Sequence, residues 1–176
     1  NFKKQNILEN SFSCQNVSHI VAELFYITAN ALSTQSLFSL SNFYLNLAKY
    51  LNQEFISYNT LLAENYFMIG NYNQSKKIYS LLKKIGEVYS WHSSRQIALI
   101  DLEKDRVEQA ISRMEKSYNN LKNPNVYQTY DYASFLKNNE KFELAINYYS
   151  IVINNISKTH ELYPKAKDGR GIAFEQ

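Results

Sequence analysis

The sequence predicts an all-α fold, a right-handed α-solenoid of antiparallel helix pairs. Two observations carry this prediction. The chain holds 15 tyrosines and 10 phenylalanines but only 4 glycines and 2 prolines, and small residues recur along it roughly every 35 positions. Strand-rich folds of this size need many tight turns, which draw on glycine and proline. A regular recurrence of this length is typical of helical repeats, in which each unit buries its apolar face against a neighbour.

Two series of small residues define the repeat. The first series is Ala29, Ala63, Ala98, Ala133 and Gly171, with spacings of 34, 35, 35 and 38. The second series lies 12 residues after the first four of these and is Ser41, Ser75, Ala110 and Ala145. A large side chain follows each of the second series by four residues: Leu45, Tyr79, Met114 and Tyr149. Small residues let two helices approach closely, and the bulky residues fill the space between them.

These series predict four helix pairs and one truncated repeat. The predicted helices span 17–32 and 36–52, 56–69 and 73–85, 91–103 and 107–121, 126–138 and 142–156, and finally 164–176. Residues 17–176 therefore form the solenoid, while residues 1–16 are a linker or the end of a preceding repeat. We expect the chain to be a fragment of a longer protein, and we expect Trp91 to be half-buried at a helix start.

Turn residues separate the two helices of each pair. The candidate turns are Ser33-Thr34, Gly70-Asn71, Lys104-Asp105 and Asn138-Asn139. Glycine adopts positive φ without steric cost, and asparagine tolerates it best among the other residues. We therefore expect the glycine and the asparagines to supply the left-handed residues that close these turns.

Residues 62–72, which read LAENYFMIGNY, resemble the tetratricopeptide repeat (TPR) when taken with Ser75 and Tyr79. The unit that contains Tyr132-Ala133 and Phe142 resembles it equally well. The third unit departs from the pattern, because Asp101 and Asp105 stand where an aromatic residue and a glycine are usual. The family's tryptophan position is filled by Phe25, Asn59, Ser94 and Thr129. The ending 168–175 is similar to a helix of long α-proteobacterial TPR proteins, which implies a bacterial protein of the cytoplasm or the cell envelope.

The resemblance implies a concave groove lined by the first helix of each pair. Counted from the small residues, the groove positions are Tyr26, Asn30, Thr60, Glu64, Phe67, Arg95, Leu99, Tyr130, Ser134 and Lys137, followed by Asp168. A mixed aromatic and polar lining suits an extended peptide or a partner helix. The leading hypothesis is a non-enzymatic scaffold that binds a protein or peptide partner in this groove. A groove that is merely solvated stays open as the alternative.

Three other functions stay open from the sequence. Residues 57–62 resemble the opening of a pentatricopeptide repeat, which would indicate an RNA-binding module, although a net charge of +3 is low for reading RNA. The repeats could also select substrate for an enzyme whose catalytic part lies elsewhere in a longer chain. Self-association through an apolar end of the solenoid is the third alternative.

No residue pattern predicts a catalytic, cofactor or metal site. Cys14 is the single cysteine and has no neighbouring histidine or basic helix start to activate it. His19, His92 and His160 lie in different repeats without metal-ligand spacing. Lys76-Lys77 and Lys83-Lys84 are interpreted as a solvated convex face. No apolar run approaches the roughly 18 residues of a membrane span, so we expect no membrane segment. Residues 169–171 are neither a phosphate loop nor a dinucleotide fingerprint, and we expect no cofactor.

Overall fold

The computed structural model describes residues 13–176, which divide into a unit that ends at Ile85 and a unit that begins at Gly86. The N-terminal unit contains α1 (Val17–Thr34), α2 (Phe38–Leu51), α3 (Ser57–Met68) and α4 (Tyr72–Leu82). The C-terminal unit contains α5 (Glu87–Leu102), α6 (Val107–Asn119), α7 (Val126–Asn138), α8 (Phe142–Asn154) and α9 (Leu162–Phe174). The described residues include no strand, so the all-α helical-repeat prediction is confirmed.

Consecutive helices pack as antiparallel pairs around the predicted small residues. Ala29, Ala63, Ala98 and Ala133 are fully buried, as are the second-series residues Ser41, Ser75, Ala110 and Ala145. In the N-terminal unit the hydroxyl of Ser41 donates to the carbonyl oxygen of Ala29 at 2.8 Å, and Ser75 donates to Ala63 at 2.9 Å. The serines therefore satisfy their own buried hydroxyls on the facing helix. Alanine serves the same close approach in the C-terminal unit.

A left-handed residue closes the turn within each helix pair. The four residues are Ser36, Gly70, Asp105 and Glu140, with φ between 55° and 74°. The backbone N–H of the next residue then bonds to the carbonyl five positions back, as from Lys141 to Leu136 at 2.9 Å. The prediction for Gly70 is confirmed. The expectation for Asn138-Asn139 is wrong, because the turn closes one residue later and Glu140 takes the left-handed conformation instead.

Of the two glycines of α9, Gly169 and not Gly171 lies against the preceding helix α8. Gly169 is buried, and a Cβ built on it would lie 2.5 Å from Cζ of Tyr149, whereas a Cβ on Gly171 would meet nothing within 4 Å. No helix follows α9 in the described residues, so the assignment of Gly171 to the first series stays a prediction. The buried face of α9 is set by Leu162, Ala166, Gly169 and Ala173, which recur at helical spacing.

The third repeat begins one turn earlier than the sequence predicts. Helix α5 starts at Glu87, four residues before the predicted start, while all other boundaries agree within three residues. Trp91 consequently lies inside the helix and is only 7% exposed, so its expected half-burial is wrong. Its ring packs edge-on against Tyr118 at a centroid distance of 6.1 Å.

Each unit has its own core and one buried polar contact of note. In the N-terminal unit Asn65 accepts from Ser33 at 2.7 Å and donates to Ser41 at 2.8 Å and to Asn42 at 2.9 Å. In the C-terminal unit the fully buried carboxylate of Asp101 accepts from Nε of Arg113 at 2.8 Å. These contacts tie α3 to α1 and α2, and α5 to α6.

Candidate functional site

The predicted groove residues occupy equivalent positions on the first helix of each pair. Three residues before the small residue stand Tyr26, Thr60, Arg95 and Tyr130, and one residue after it stand Asn30, Glu64, Leu99 and Ser134. Phe67 and Lys137 lie four residues after it. All ten side chains are partly or fully accessible, whereas the small residue beside them is fully buried in every repeat. We describe the two units separately as an N-terminal face (Tyr26, Asn30, Thr60, Glu64, Phe67) and a C-terminal face (Arg95, Leu99, Tyr130, Ser134, Lys137).

Aromatic packing fixes the N-terminal face at the point where α1 meets α3. The ring of Tyr26 lies 5.2 Å from that of Tyr58 and 6.0 Å from that of Phe55, between ring centroids. Tyr58 is buried, so its ring forms the floor against which the partly exposed Tyr26 rests. The amide of Asn30 donates to the carbonyl oxygen of Tyr26 at 2.9 Å, one turn back on the same helix.

Glu64 lies at the partly buried centre of the same face. Burial raises the pKa of the Glu64 carboxyl, because the ionised form loses hydration there. Tyr79 on α4 is fully buried, and this burial, with a smaller contribution from Glu64, raises the pKa of its hydroxyl. Phe67 closes the far end of the face, with its ring 5.5 Å from that of Tyr72.

An ion pair joins two first helices on the C-terminal face. Nη1 of Arg95 on α5 lies 3.8 Å from a carboxylate oxygen of Asp131 on α7, and both side chains are partly exposed. The pair holds the guanidinium over the face while leaving part of it open to solvent. An exposed arginine of this kind can bind a carboxylate or stack on an aromatic ring.

The hydroxyl of Tyr149 reaches the C-terminal face from α8. It donates to Oγ of Ser134 at 3.0 Å, and its ring lies 5.8 Å from the ring of Tyr130. Burial raises the pKa of the Tyr149 hydroxyl; the Ser134 hydrogen bond opposes this rise, while Tyr130 and Asp168 add to it. Tyr130, Ser134 and Asp168 are therefore neighbours around one buried phenol.

Sequence reasoning missed three contributors to these faces. Asp131 follows a predicted groove residue and lies 36 positions after Arg95, so the repeat spacing could have suggested the pair. Phe55 precedes α3 and stands outside the helical period, so no periodic signal marks it. Tyr149 was recognised as core, but only the structure shows that its hydroxyl extends to the face.

The described part of the chain offers little for other chemistry. No group of histidine, cysteine, aspartate and glutamate within it could hold a metal ion, and none of its helices is long and apolar enough to cross a membrane. Nδ1 of His19 accepts from the backbone of Ser13 at 3.1 Å, and Nδ1 of His160 accepts from Leu162 at 3.1 Å. These two histidines stabilise the starts of α1 and α9.

The fold resembles solved TPR structures. A single-substitution variant of a Podosopora anserina protein with nearly identical TPR-like repeats superposes with a TM-score of 0.65 at 11% identity, covering 87% of this chain and 84% of the other. The unsubstituted protein gives 0.63 at 11% identity, with 87% and 85% covered. The TPR protein YrrB gives 0.49 at 11%, with 86% and 75% covered. No family model matches the sequence, and no curated protein matches it either.

Proposed function

We propose that this chain, which has the tetratricopeptide-repeat fold, is a non-enzymatic scaffold that binds a peptide or a partner helix on the first-helix faces of its repeats. The observation that supports this most is the packing and partial exposure of the Tyr26 and Tyr130 rings. Each is partly exposed on a first helix, and each ring is packed against a buried tyrosine of its own unit, Tyr58 or Tyr149. Aromatic side chains that are already fixed lose little conformational entropy when a ligand covers them.

The two faces favour different ligand contacts. The N-terminal face offers Tyr26, Phe67 and the carboxyl of Glu64, which suits an apolar side chain flanked by a donor. The C-terminal face offers Arg95, Tyr130 and Lys137, which suits an acidic or aromatic side chain. Either face would recognise the side chains of a ligand and not its backbone, because the described faces are helical and present no free strand edge.

A peptide library displayed on phage and selected on the immobilised 176-residue chain tests this function. We expect enriched peptides whose affinity, measured by fluorescence anisotropy, falls at least about tenfold in one of two double variants. These are Tyr26→Ala with Phe67→Ala, and Arg95→Glu with Tyr130→Ala. The matched control is Lys77→Glu, which changes the charge of an exposed side chain on a second helix. Peptides that bind both double variants as tightly as the parent chain would contradict the proposal.

A further inference from the structure

The first helices of the N-terminal unit carry negative charge and no cationic side chain to balance it. Helix α1 contains Glu23 and α3 contains Glu64, while neither helix contains a lysine or an arginine. The five lysines among residues 13–85 lie instead on the second helices or just after them: Lys49, Lys76, Lys77, Lys83 and Lys84. The first helices of this unit are therefore acidic, and a ligand that matches them in charge is positive.

Glu23 extends the N-terminal face by one turn of α1. It stands three residues before Tyr26 and seven before Asn30, a spacing that places the three side chains on one side of the helix. Residues three apart on a helix have Cβ atoms about 5–6 Å from each other, so Glu23 and Tyr26 are neighbours. Glu23 is partly exposed and forms no ion pair within residues 13–176. Its carboxylate is therefore open to a ligand.

Three aromatic rings form a cluster beside this carboxylate. The rings of Tyr26, Phe55 and Tyr58 lie between 4.9 and 6.0 Å from one another, measured between centroids. Tyr58 is buried, whereas Tyr26 and Phe55 are partly exposed. The faces of aromatic rings attract cations, and a guanidinium also stacks on them. We call Glu23 and these three aromatic residues the Glu23 site.

The hydroxyl of Tyr58 is a hydrogen-bonding group that the described residues leave unused. It is buried, and it forms no hydrogen bond with any residue of the described chain. Burial raises the pKa of this hydroxyl, and Glu23 and Tyr26 raise it further, so the hydroxyl lies near both side chains. A buried polar group without a partner is destabilising, and a ligand N–H that reaches the phenol oxygen would offset that cost.

We propose that the Glu23 site binds the guanidinium of an arginine side chain in the peptide or helix that the N-terminal face takes up. This proposal rests on the proposed function and names the side chain that this face recognises. Arginine fits better than lysine, because its planar guanidinium can stack on Tyr26 or Phe55 while its several N–H groups donate to the Glu23 carboxylate and to the oxygen of Tyr58.

The Glu23 site has no counterpart among the described residues of the C-terminal unit. His92 and Tyr127 occupy the positions that correspond to Glu23, six residues before the small residue of their repeats. The C-terminal face carries Arg95 and Lys137, whose charges repel a guanidinium. The preference for arginine therefore belongs to the N-terminal face.

A titration of the 176-residue chain with two small probes tests the proposal. The probes are N-acetyl-L-arginine methylamide and N-acetyl-L-citrulline methylamide, which are similar in shape while only the first is charged. Two-dimensional proton–nitrogen NMR spectra follow their binding. We expect the arginine probe to bind at least about fivefold more tightly, with the largest changes around Glu23, Tyr26 and Tyr58. Equal affinities, or changes confined to residues outside α1 and α3, would overturn the proposal.

A substitution tests the role of the carboxylate. Glu23→Gln keeps the size of the side chain and removes its charge, so it should weaken binding of the arginine probe at least about fivefold and leave the citrulline probe unaffected. The matched control is Glu87→Gln, which removes the same charge from an exposed position on the first helix α5 and should change neither affinity. An arginine probe that binds Glu23→Gln as tightly as the parent chain would overturn the proposal. The comparison of the two probes on the parent chain stays decisive if the variant does not fold.

The titration and the phage selection separate this proposal from the proposed function. Peptides that bind the first-helix faces, together with a titration that shows no preference for arginine, would keep the proposed function and overturn the arginine site. An arginine probe that binds at the Glu23 site, while the selection enriches no peptide, would support the site and contradict the scaffold function.

Discussion

Gly169 on α9 faces the ring of Tyr149 on α8 so closely that no larger residue fits between them. A Cβ at position 169 would lie 2.5 Å from Cζ and 2.6 Å from the hydroxyl oxygen of Tyr149. Tyr149 is itself buried and holds Ser134 through a hydrogen bond of 3.0 Å. The approach of α9 to α8 thus fixes one side of the C-terminal face.

Gly169→Ala should therefore destabilise the chain although alanine favours helices. We expect a loss of about 2 kcal/mol in the free energy of unfolding, because the added methyl must displace α9 or the buried Tyr149 ring. Urea denaturation followed by circular dichroism measures this. Gly171→Ala is the matched control on the same helix, since no atom lies within 4 Å of the added Cβ, and it should be neutral or stabilising by up to about 1 kcal/mol. Equal effects of the two substitutions would contradict the assignment of Gly169 as the close-approach residue.

The turn residue Glu140 should accept glycine with a gain in stability. Glu140 has φ of 61°, a conformation that costs a non-glycine residue about 1–2 kcal/mol. Glycine avoids this cost, but it loses more backbone entropy on folding, which offsets part of the gain in stability. We expect Glu140→Gly to raise the free energy of unfolding by about 0.5–1 kcal/mol. The neighbouring Asn139 has negative φ, so Asn139→Gly should instead be destabilising. A stabilising effect of Asn139→Gly would contradict the assignment of Glu140 as the left-handed residue of this turn.

The buried amide of Asn65 should matter more than the buried hydroxyl of Ser75. Asn65→Ala removes three hydrogen bonds and leaves Ser33 and Asn42 without this partner, so we expect a loss of about 3 kcal/mol. Ser75→Ala removes one bond at a position where two other repeats already have alanine, and it should cost about 1 kcal/mol or less. Chemical denaturation of both variants compares them directly. Similar losses would mean that the Asn65 contacts do not act as a network.

The ion pairs of Asp101 and Asp131 should differ in strength because their burial differs. Arg113→Met leaves a fully buried carboxylate without its guanidinium and should cost about 3 kcal/mol. Arg95→Met breaks a partly exposed pair at 3.8 Å and should cost at most about 1 kcal/mol. Thermal unfolding at low and high salt adds a second readout, since only the Arg95 contribution should be screened.

Tyr58 should make the chain sensitive to alkaline pH. Burial, with smaller contributions from Glu23 and Tyr26, raises the pKa of Tyr58 from its ordinary value of 10.0 to about 12. Because the unfolded phenol ionises near pH 10 while the folded one resists, the stabilisation is complete below pH 10 and is lost as pH rises toward 12. Tyr58→Phe should therefore move the midpoint of alkaline unfolding to higher pH. Tyr50→Phe, at an exposed position on α2, should leave that midpoint unchanged.

The sequence predicts the repeat but not the details that depend on three-dimensional contact. The spacing of Ala29, Ala63, Ala98 and Ala133 identified the helix pairs, because close approach demands a small residue at a fixed place. The same rule does not show which glycine of α9 lies against α8, since Gly169 and Gly171 are both small and only the contact with Tyr149 distinguishes them. Glu140 was missed because asparagine is the non-glycine residue that tolerates positive φ best, so the asparagines were preferred. The position of the turn is instead determined by the hydrogen bonds at the end of the preceding helix.

The site is predictable to a smaller extent than the fold. The positions of the groove residues follow from the repeat, and every one of them is accessible, but accessibility alone does not identify a ligand. Arg95 is oriented by Asp131 on α7 and Tyr130 by Tyr149 on α8. The repeat places these residues, but it does not show that their side chains reach the face.

Hydrogen–deuterium exchange of the 176-residue chain with and without a selected peptide tests the central claim most directly. The account predicts slower exchange on first helices, at α1 and α3 or at α5 and α7, with the strongest change around Tyr26 or Tyr130. Exchange on the outer positions of α2, α4, α6 and α8 should stay the same. Protection confined to those second helices, with the first helices unchanged, would contradict it.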